Sequence, residues 1–540
     1  MIDYSKKRVL IVDDSQAMCS SLRITLSNFG ITRSEASYTA GEAIYRIRSR
    51  EFDMIVCDYN LGDGTDGQQL LEFVRREGLI SPSVVFLMVT AERSYEKVVL
   101  CAEMAPDDYL LKPFTAETMR LRLERVFDKK EAFSRIYTQL TQRHLDKAVE
   151  ECDRLLAQKT RYSIDVMRTK GELLLELGRE DEARALYEEI LHLRVVPWAR
   201  LGLARAMHNS GELDSAMGEL REAIAEMPEY LAAYDTLAEV QGAAGMGEEA
   251  QETLQSALKI APGNLVRQTA LGEVAYRNQD LETAGKAFET VVDKGRYSFL
   301  RTYKDYVNLS RVQMDQKQFD KAVRTIGNAR DSFGDSPEVE LAASTMESLI
   351  QHAAENEAAA KVALARALKA RDDAKLQLSD QVAVDLARSA FLNGEEEIGR
   401  QMVREMVSNY YDDARFQQSV RNMLEAVGRG EESKALIEDS VVAVVKLNNE
   451  GVMKARQGDM AGAIELLLEA ANRMPQNIQL ALNAAQALIV ESDRHGWHDE
   501  HMREAKRLVD MHEPVHGHLA KFKKIKAYLK DVGLKFGVNL

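Results

Sequence analysis

The chain has 540 residues, 29% of them charged and 45% hydrophobic, with a formal net charge of −15. That length exceeds what one hydrophobic core supports and implies two to four domains. The acidic balance excludes nucleic acid as the main partner, since phosphate binding needs a basic face, and no run reaches the roughly 18 apolar residues of a membrane span. Cys19, Cys57, Cys101 and Cys152 show neither paired nor metal-type spacing. Cys57 and Cys101 lie in apolar contexts and read as core residues of a reducing, cytoplasmic environment. The first residues, Met-Ile-Asp-Tyr-Ser-Lys-Lys-Arg, contain no apolar signal core.

The first 130 residues alternate short apolar runs with helical patterns. Strands are predicted over 8–13, 32–36, 53–58, 84–89 and 108–111, and helices over 16–28, 40–50, 67–77, 94–104 and 115–128. Strict alternation of this kind gives an α/β fold, a five-stranded parallel sheet wound on both faces by helices. In such sheets chemistry collects beyond the carboxyl ends of the strands. Asp13 and Asp14 stand at the end of the first strand, Asp58 at the end of the third, Thr90 at the end of the fourth and Lys112 at the end of the fifth.

That set has one chemical logic. A pair of adjacent carboxylates is costly unless a cation joins it, and a hard divalent ion with oxygen ligands, Mg²⁺ first, suits them. An Asp carboxylate can accept a phosphoryl group as an aspartyl phosphate. Such a transfer depends on positioning and charge neutralisation. Asp13 and Asp14 would hold the metal, Lys112 would pair with phosphoryl oxygens, and the Thr90 hydroxyl would donate to one of them.

With Asp13-Asp14, Asp58 in Val-Cys-Asp-Tyr-Asn-Leu, Thr90-Ala91 and Lys112-Pro113-Phe114 in place, residues 8–128 resemble the receiver domain of bacterial two-component response regulators. The resemblance implies a flavodoxin-like, doubly wound fold. It implies that Asp58 is the phosphoacceptor, supplied by a partner histidine kinase or phosphotransfer protein. It also implies that Asn60 lends its backbone carbonyl to the metal, alongside Asp13, Asp14 and Asp58. Thr90 and Tyr109 become a switching pair that reshapes the face formed by 94–104, 108–111 and 115–128. Asn60 and Glu92 fall where the family tunes the water attack that ends the signal, and this polar pair suggests a short-lived phosphoryl group. The loop Leu61–Gly67 lacks a proline and is about one residue longer than the commonest family form; its Gly-Asp-Gly run can still turn.

After about residue 130 strand patterns vanish. Alanines stand before amphipathic helical stretches at 148, 183, 216, 250, 284 and 322. Small residues precede most of them at Gly171, Ala204, Ala238, Gly272 and Ser310. A period near 34 residues gives two helices and two turns, with small residues where helices approach closely. This is similar to the tetratricopeptide repeat (TPR), best matched over Ala216–Pro262, and predicts an all-α superhelical solenoid. The sequence accordingly reads as a receiver over 1–130, a TPR array over 131–350, one long charged helical spacer over 351–380, and a second TPR-like array over 381–540.

The C-terminal part carries six of the ten histidines, at 495, 498, 501, 512, 516 and 518. Their spacing would suit zinc on one helix face, but Gly496 interrupts it and no cysteine joins, so the solvated reading is preferred. Leu519 to Leu529 alternates lysines with Leu519, Phe522, Ile525 and Leu529. This fits either a basic amphipathic helix for a membrane or anionic partner or the cap of a solenoid, and the cap is preferred.

No second catalytic constellation follows the receiver. The expected function is a response regulator, not an enzyme beyond its own Mg-dependent phosphorylation and dephosphorylation, whose TPR surface binds an unknown protein target. Two alternatives are a phosphoryl sink draining a kinase, and a constitutive scaffold whose receiver forms a homodimer.

Overall fold

The computed structural model describes residues 4–62, 66–91, 106–298, 301–334, 336–374, 380–410, 413–475, 477–516 and 520–538. The expected helix 94–104, Glu92, Cys101, the centre of the Leu61–Gly67 loop, His518 and Leu519 lie outside the described residues.

Five strands form one parallel sheet: β1 (Arg8–Val12), β2 (Arg33–Ser37), β3 (Met54–Asp58), β4 (Val85–Thr90) and β5 (Asp108–Leu111), in the order β2-β1-β3-β4-β5. The alternation of side chains along each strand splits the core into two layers. Val9, Ile11, Met54, Val56, Leu87 and Val89 pack with Leu22 and Leu26 of α1 (Gln16–Asn28) and with Met119 and Leu123 of the helix Ala116–Ala132. Leu10, Val12, Ile55, Cys57, Phe86 and Met88 face the other way, onto α2 (Ala40–Ser49) and α3 (Gly67–Arg76). Strands covered on both faces need continuous apolar runs, which is what β1, β3 and β4 contain. Ser15, Thr39, Asp66 and Thr115 each cap the helix that follows by accepting a backbone N–H.

Beyond the sheet the described residues form an all-helical, solenoid-like succession of hairpins. The protein divides into two compact units, Met1–Asp305 and Tyr306–Leu540. The periodic alanines stand inside the second helix of each hairpin instead of before it. Ala148, Ala183, Ala216, Ala250, Ala284 and Ala322 are each the fourth residue of their helix and each fully buried. The glycines show why small residues recur. A Cβ on Gly171 would lie 2.5 Å from the Tyr187 ring, and one on Gly272 would lie 2.7 Å from Phe288. An aromatic from the second helix thus occupies the space that the first helix leaves empty.

The segment 351–380 departs from expectation. It is not one long helical spacer. The helix Pro337–Ala353 ends at Ala354, Glu355 takes a positive φ of 61°, and a second helix runs Glu357–Ala374 and packs back on the first. Ala360, Ala363, Leu364 and Ala367 are buried in that pairing. Alanines that look like an isolated-helix composition are here the small residues of a close helix–helix contact.

At the C-terminal end the helix Ala520–Lys535 buries Phe522, Ile525, Leu529 and Val532 against the preceding hairpin. Its apolar face is therefore covered by that hairpin. No helix among the described residues is long and apolar enough to cross a membrane.

Candidate functional site

Four of the five strands, β1, β3, β4 and β5, deliver polar groups from their ends to the same edge of the sheet. β1 stops at Val12, and Asp13 turns inward. Its N–H donates to Ser37 O at 3.1 Å, its Oδ1 accepts the Ser15 N–H at 2.9 Å, and it is only 1% exposed. Asp14, the next residue, is exposed. Asp58 ends β3 and is half-buried; the following residue, Tyr59, donates its N–H to Val89 O at 2.8 Å, tying the strand end to β4.

The five-strand edge closes around a lysine. Lys112 Nζ lies 3.1 Å from Asp13 Oδ2 and 3.0 Å from Asp58 Oδ2. Its backbone N–H donates to Thr90 O at 2.7 Å, fixing Lys112 beside the last residue of β4. Thr90 is buried. Tyr109 lies opposite Met88 in the β4–β5 register and packs, partly buried, on the α2–α3 side of the sheet.

Asp13, Asp14 and Asp58 each offer an oxygen, and these oxygens lie within 4.8 Å of one another. An all-oxygen, all-anionic donor set that compact suits a hard divalent cation. The residues present therefore fit a Mg²⁺ ion. The loop after β3 presses against this cluster. Gly62 has a φ of 80°, and a Cβ there would be 3.2 Å from Asp14 Oδ2. Asn60 Oδ1 accepts the Gly62 N–H at 3.3 Å, and Asn60 pairs with Asp66 in an isolated antiparallel bridge. No histidine joins a comparable cluster among the described residues; His498 and His501 stack ring on ring at 3.8 Å, and His495 pairs with Glu491.

The electrostatics follow from crowding. Burial pushes the Asp58 carboxyl above its ordinary range, the Asp13 charge adds to this, and the Lys112 ammonium opposes it. For Lys112 burial works downward, but the carboxylates of Asp58 and Asp13 outweigh it and its ammonium is held above the usual lysine value. Three carboxylates facing one ammonium leave the cluster electron-rich, which favours a further cation.

The structure thus brings together Asp13, Asp14, Asp58 and Lys112, with Thr90 beside them through its backbone bond to Lys112. Asn60 stands in the adjoining loop, and Tyr109 on β5 before Lys112. Gly67 is a site residue that the motifs alone do not reveal. A Cβ on it would sit 2.1 Å from Asp58 O and 2.9 Å from Cys57 Sγ. Its N–H donates to Tyr59 O at 2.7 Å. The glycine after a capping Asp was the available signal.

A second set that the motifs do not reveal lies where the receiver-like region meets the helices. Lys130, near the end of the helix Ala116–Ala132, pairs with Asp107 at 2.8 Å and donates to Pro82 O at 2.6 Å. Its ammonium also lies 5.2 Å from the Tyr137 ring centroid, on the next helix. Lys129 pairs with Asp165, and Asp128 with Arg161 and Tyr162. Asp108 at the start of β5 accepts from Arg122 and Arg125 of the same helix.

Residues 9–124 match the response regulator receiver domain family. The chemotaxis protein CheY of Pseudomonas aeruginosa is 31% identical over 122 residues, which is 23% of this chain and 97% of that protein. CheY-3 of Vibrio cholerae is 30% identical over 122 residues, 23% of this chain and 92% of that protein. Among solved structures, a CheY-like receiver domain protein from Methanospirillum hungatei is 30% identical and covers 23% of this chain and 96% of its own, with a TM-score of 0.22. The helical remainder lies outside these matches. Through its first 124 residues the chain belongs to the response regulator receiver family.

Proposed function

We propose that this protein is a two-component response regulator in which Asp58 is the phosphoacceptor and the helical region, a TPR-type array, is a protein-binding output. The observation that carries the reading is the bridge of Lys112 between Asp13 and Asp58 at 3.1 and 3.0 Å. In the transfer, an Asp58 oxygen forms a bond to phosphorus while the P–N bond of a phosphohistidine on a partner kinase or phosphotransfer protein breaks, and the imidazole nitrogen retains the electron pair and takes a proton. Lys112 pairs with the incoming phosphoryl oxygens, so its contact with Asp58 is exchanged for one with the phosphoryl group. The Thr90 hydroxyl donates to a second oxygen. A Mg²⁺ held by Asp13, Asp14, Asp58 and the Asn60 carbonyl would neutralise the remaining charge.

Tyr109 follows Thr90 as the switch. The movement reaches β5, and β5 is clamped to the helix Ala116–Ala132 by Asp108 with Arg122 and Arg125 and, from the residue before the strand, by Asp107–Lys130. Lys130 also contacts Tyr137. These contacts give the array a direct mechanical link to the switching edge, so the output is a change in what the helices bind.

The test is hydrogen exchange and partner capture on the full-length protein with and without beryllofluoride and Mg²⁺. The expected result is altered exchange in β5 and in residues 116–176, with a partner list that changes in parallel. Beryllofluoride binding without either change refutes the output assignment; no beryllofluoride binding refutes the acceptor assignment.

A further inference from the structure

The three acids at the sheet edge are held very differently. Asp13 is fixed by its N–H on Ser37 O, by the Ser15 N–H on its Oδ1 and by Lys112 on its Oδ2. Asp58 closes β3 and is held by Lys112. Asp14 is exposed, and among the described residues its carboxylate makes no hydrogen bond and no ion pair. A carboxylate on two rotatable bonds has several rotamers open to it. Yet an Asp14 oxygen lies within 4.8 Å of oxygens of Asp13 and Asp58. What stands beside it is the loop after β3.

Gly62 is the part of that loop in contact. Its φ of 80° is one that glycine adopts freely and other residues seldom do. A Cβ built there would lie 3.2 Å from Asp14 Oδ2, 3.8 Å from its Cβ and 4.0 Å from its Cγ. The bare backbone of Gly62 therefore lines the Asp14 side chain, with room for a hydrogen but not for a methyl at ordinary contact. The loop is itself anchored. The Gly62 N–H donates to Asn60 Oδ1 at 3.3 Å, Asn60 bridges Asp66, and the Gly67 N–H donates to Tyr59 O at 2.7 Å. A methyl on Gly62 would meet an exposed, flexible carboxylate, so the carboxylate yields and turns away from Asp13 and Asp58. The effect of such a turn depends on the cation. Mg²⁺ demands near-ideal octahedral geometry with oxygens at about 2.0–2.1 Å, whereas Ca²⁺ accepts about 2.3–2.6 Å in a looser shell. A displaced oxygen is costly for the first and tolerable for the second.

We propose that Gly62, anchored by the Asn60 side chain, is a positioning residue that keeps Asp14 on the cation and makes the acidic cluster selective for Mg²⁺ over Ca²⁺. The proposal rests on the reading of Asp13, Asp14 and Asp58 as a divalent-cation site.

The experiment titrates Mg²⁺ and, separately, Ca²⁺ into the full-length, unphosphorylated protein by isothermal calorimetry, with a urea midpoint for each variant. Gly62→Ala and Asn60→Ala are the tests; the second keeps the backbone carbonyl and removes only the anchor. Gly30→Ala is the control, because Gly30 has a φ of 89° and nothing within 4 Å of its would-be Cβ, so it carries the same backbone strain away from the acids. The expected result for Gly62→Ala is a Mg²⁺ Kd raised about tenfold and a Ca²⁺ Kd changed by less than about twofold. Asn60→Ala weakens Mg²⁺ severalfold, and Gly30→Ala lowers the urea midpoint with both Kd values unchanged. Equal weakening of the two cations by Gly62→Ala would show general damage and overturn the proposal, as would a Mg²⁺ Kd that matches Gly30→Ala. If Gly62→Ala does not fold, Asn60→Ala decides, since its side chain is exposed; an unchanged Mg²⁺ Kd there overturns the proposal. A wild-type protein that binds neither cation overturns the cation-site reading itself, whereas wild-type binding with unaffected variants overturns only the role of Gly62.

Discussion

Substituting Gly67 by alanine perturbs the site without touching any charged group. The added methyl would lie 2.1 Å from Asp58 O and 2.9 Å from Cys57 Sγ. The first is a backbone atom at the end of β3 and, unlike the tip of a flexible residue, it cannot swing aside. To reach ordinary contact, α3 or the Asp58 backbone must move by about 1 Å or more, and overpacking of this kind costs about 1–3 kcal/mol. A displacement of that size at an attacking carboxylate lowers a transfer rate by roughly 10²-fold when alignment is the main source of catalysis. Gly41 is the control, because it lies in α2 with nothing within 4 Å of its would-be Cβ. Gly41→Ala should be neutral or stabilising by up to about 1 kcal/mol. The assay pairs urea unfolding with the rate of Asp58 phosphorylation from phosphoramidate. A Gly67→Ala protein that matches Gly41→Ala in both unfolding midpoint and transfer rate refutes the reasoning.

Lys112→Met should abolish stable phosphorylation and destabilise the fold by about 3 kcal/mol, because it strands the buried Asp13 and the half-buried Asp58 without their ammonium; Mg²⁺ should restore part of the stability, and equal melting curves with and without Mg²⁺ would contradict this. Tyr187→Ala should cost about 3–5 kcal/mol, since the ring is 1% exposed and fills the spaces left by Gly171 and Gly202; urea unfolding checks it. Lys130→Met should leave phosphorylation of Asp58 intact while speeding amide exchange in 134–141, because the Asp107 and Pro82 bonds and the contact with Tyr137 are lost. Exchange unchanged in that segment would show that the junction is held elsewhere.

The parts of the fold legible in the sequence are those where periodicity and chemistry agree. Val9–Val12 and Val85–Val89 are buried on both faces and so read as unbroken apolar runs. The strand-end acids and Lys112 could be assigned to one edge because a parallel sheet places every carboxyl end on the same side. The repeat spacing was visible for a similar reason: closely packed helices require alanine or glycine at fixed intervals. What was illegible depends on partners distant in sequence. Gly67 reads as a turn residue until Cys57 and Asp58 are placed beneath it. The alanines around 360–367 have the composition of a free helix, and only the pairing with the helix Pro337–Ala353 shows that they are packed. Lys130 looks like one of several surface lysines, and its burial arises from Asp107, Pro82 and Tyr137, which no local pattern brings together.

The most direct measurement is chemical mapping of the phosphoryl group. The full-length protein is incubated with phosphoramidate and Mg²⁺, reduced with borohydride to convert an aspartyl phosphate to homoserine, and read by peptide mass spectrometry. The expected result is homoserine at position 58, absent without Mg²⁺ and absent in Asp58→Asn. Homoserine at another aspartate, or none in the wild-type protein under conditions where a CheY control is modified, would contradict the assignment of Asp58 as the residue through which this protein receives its signal.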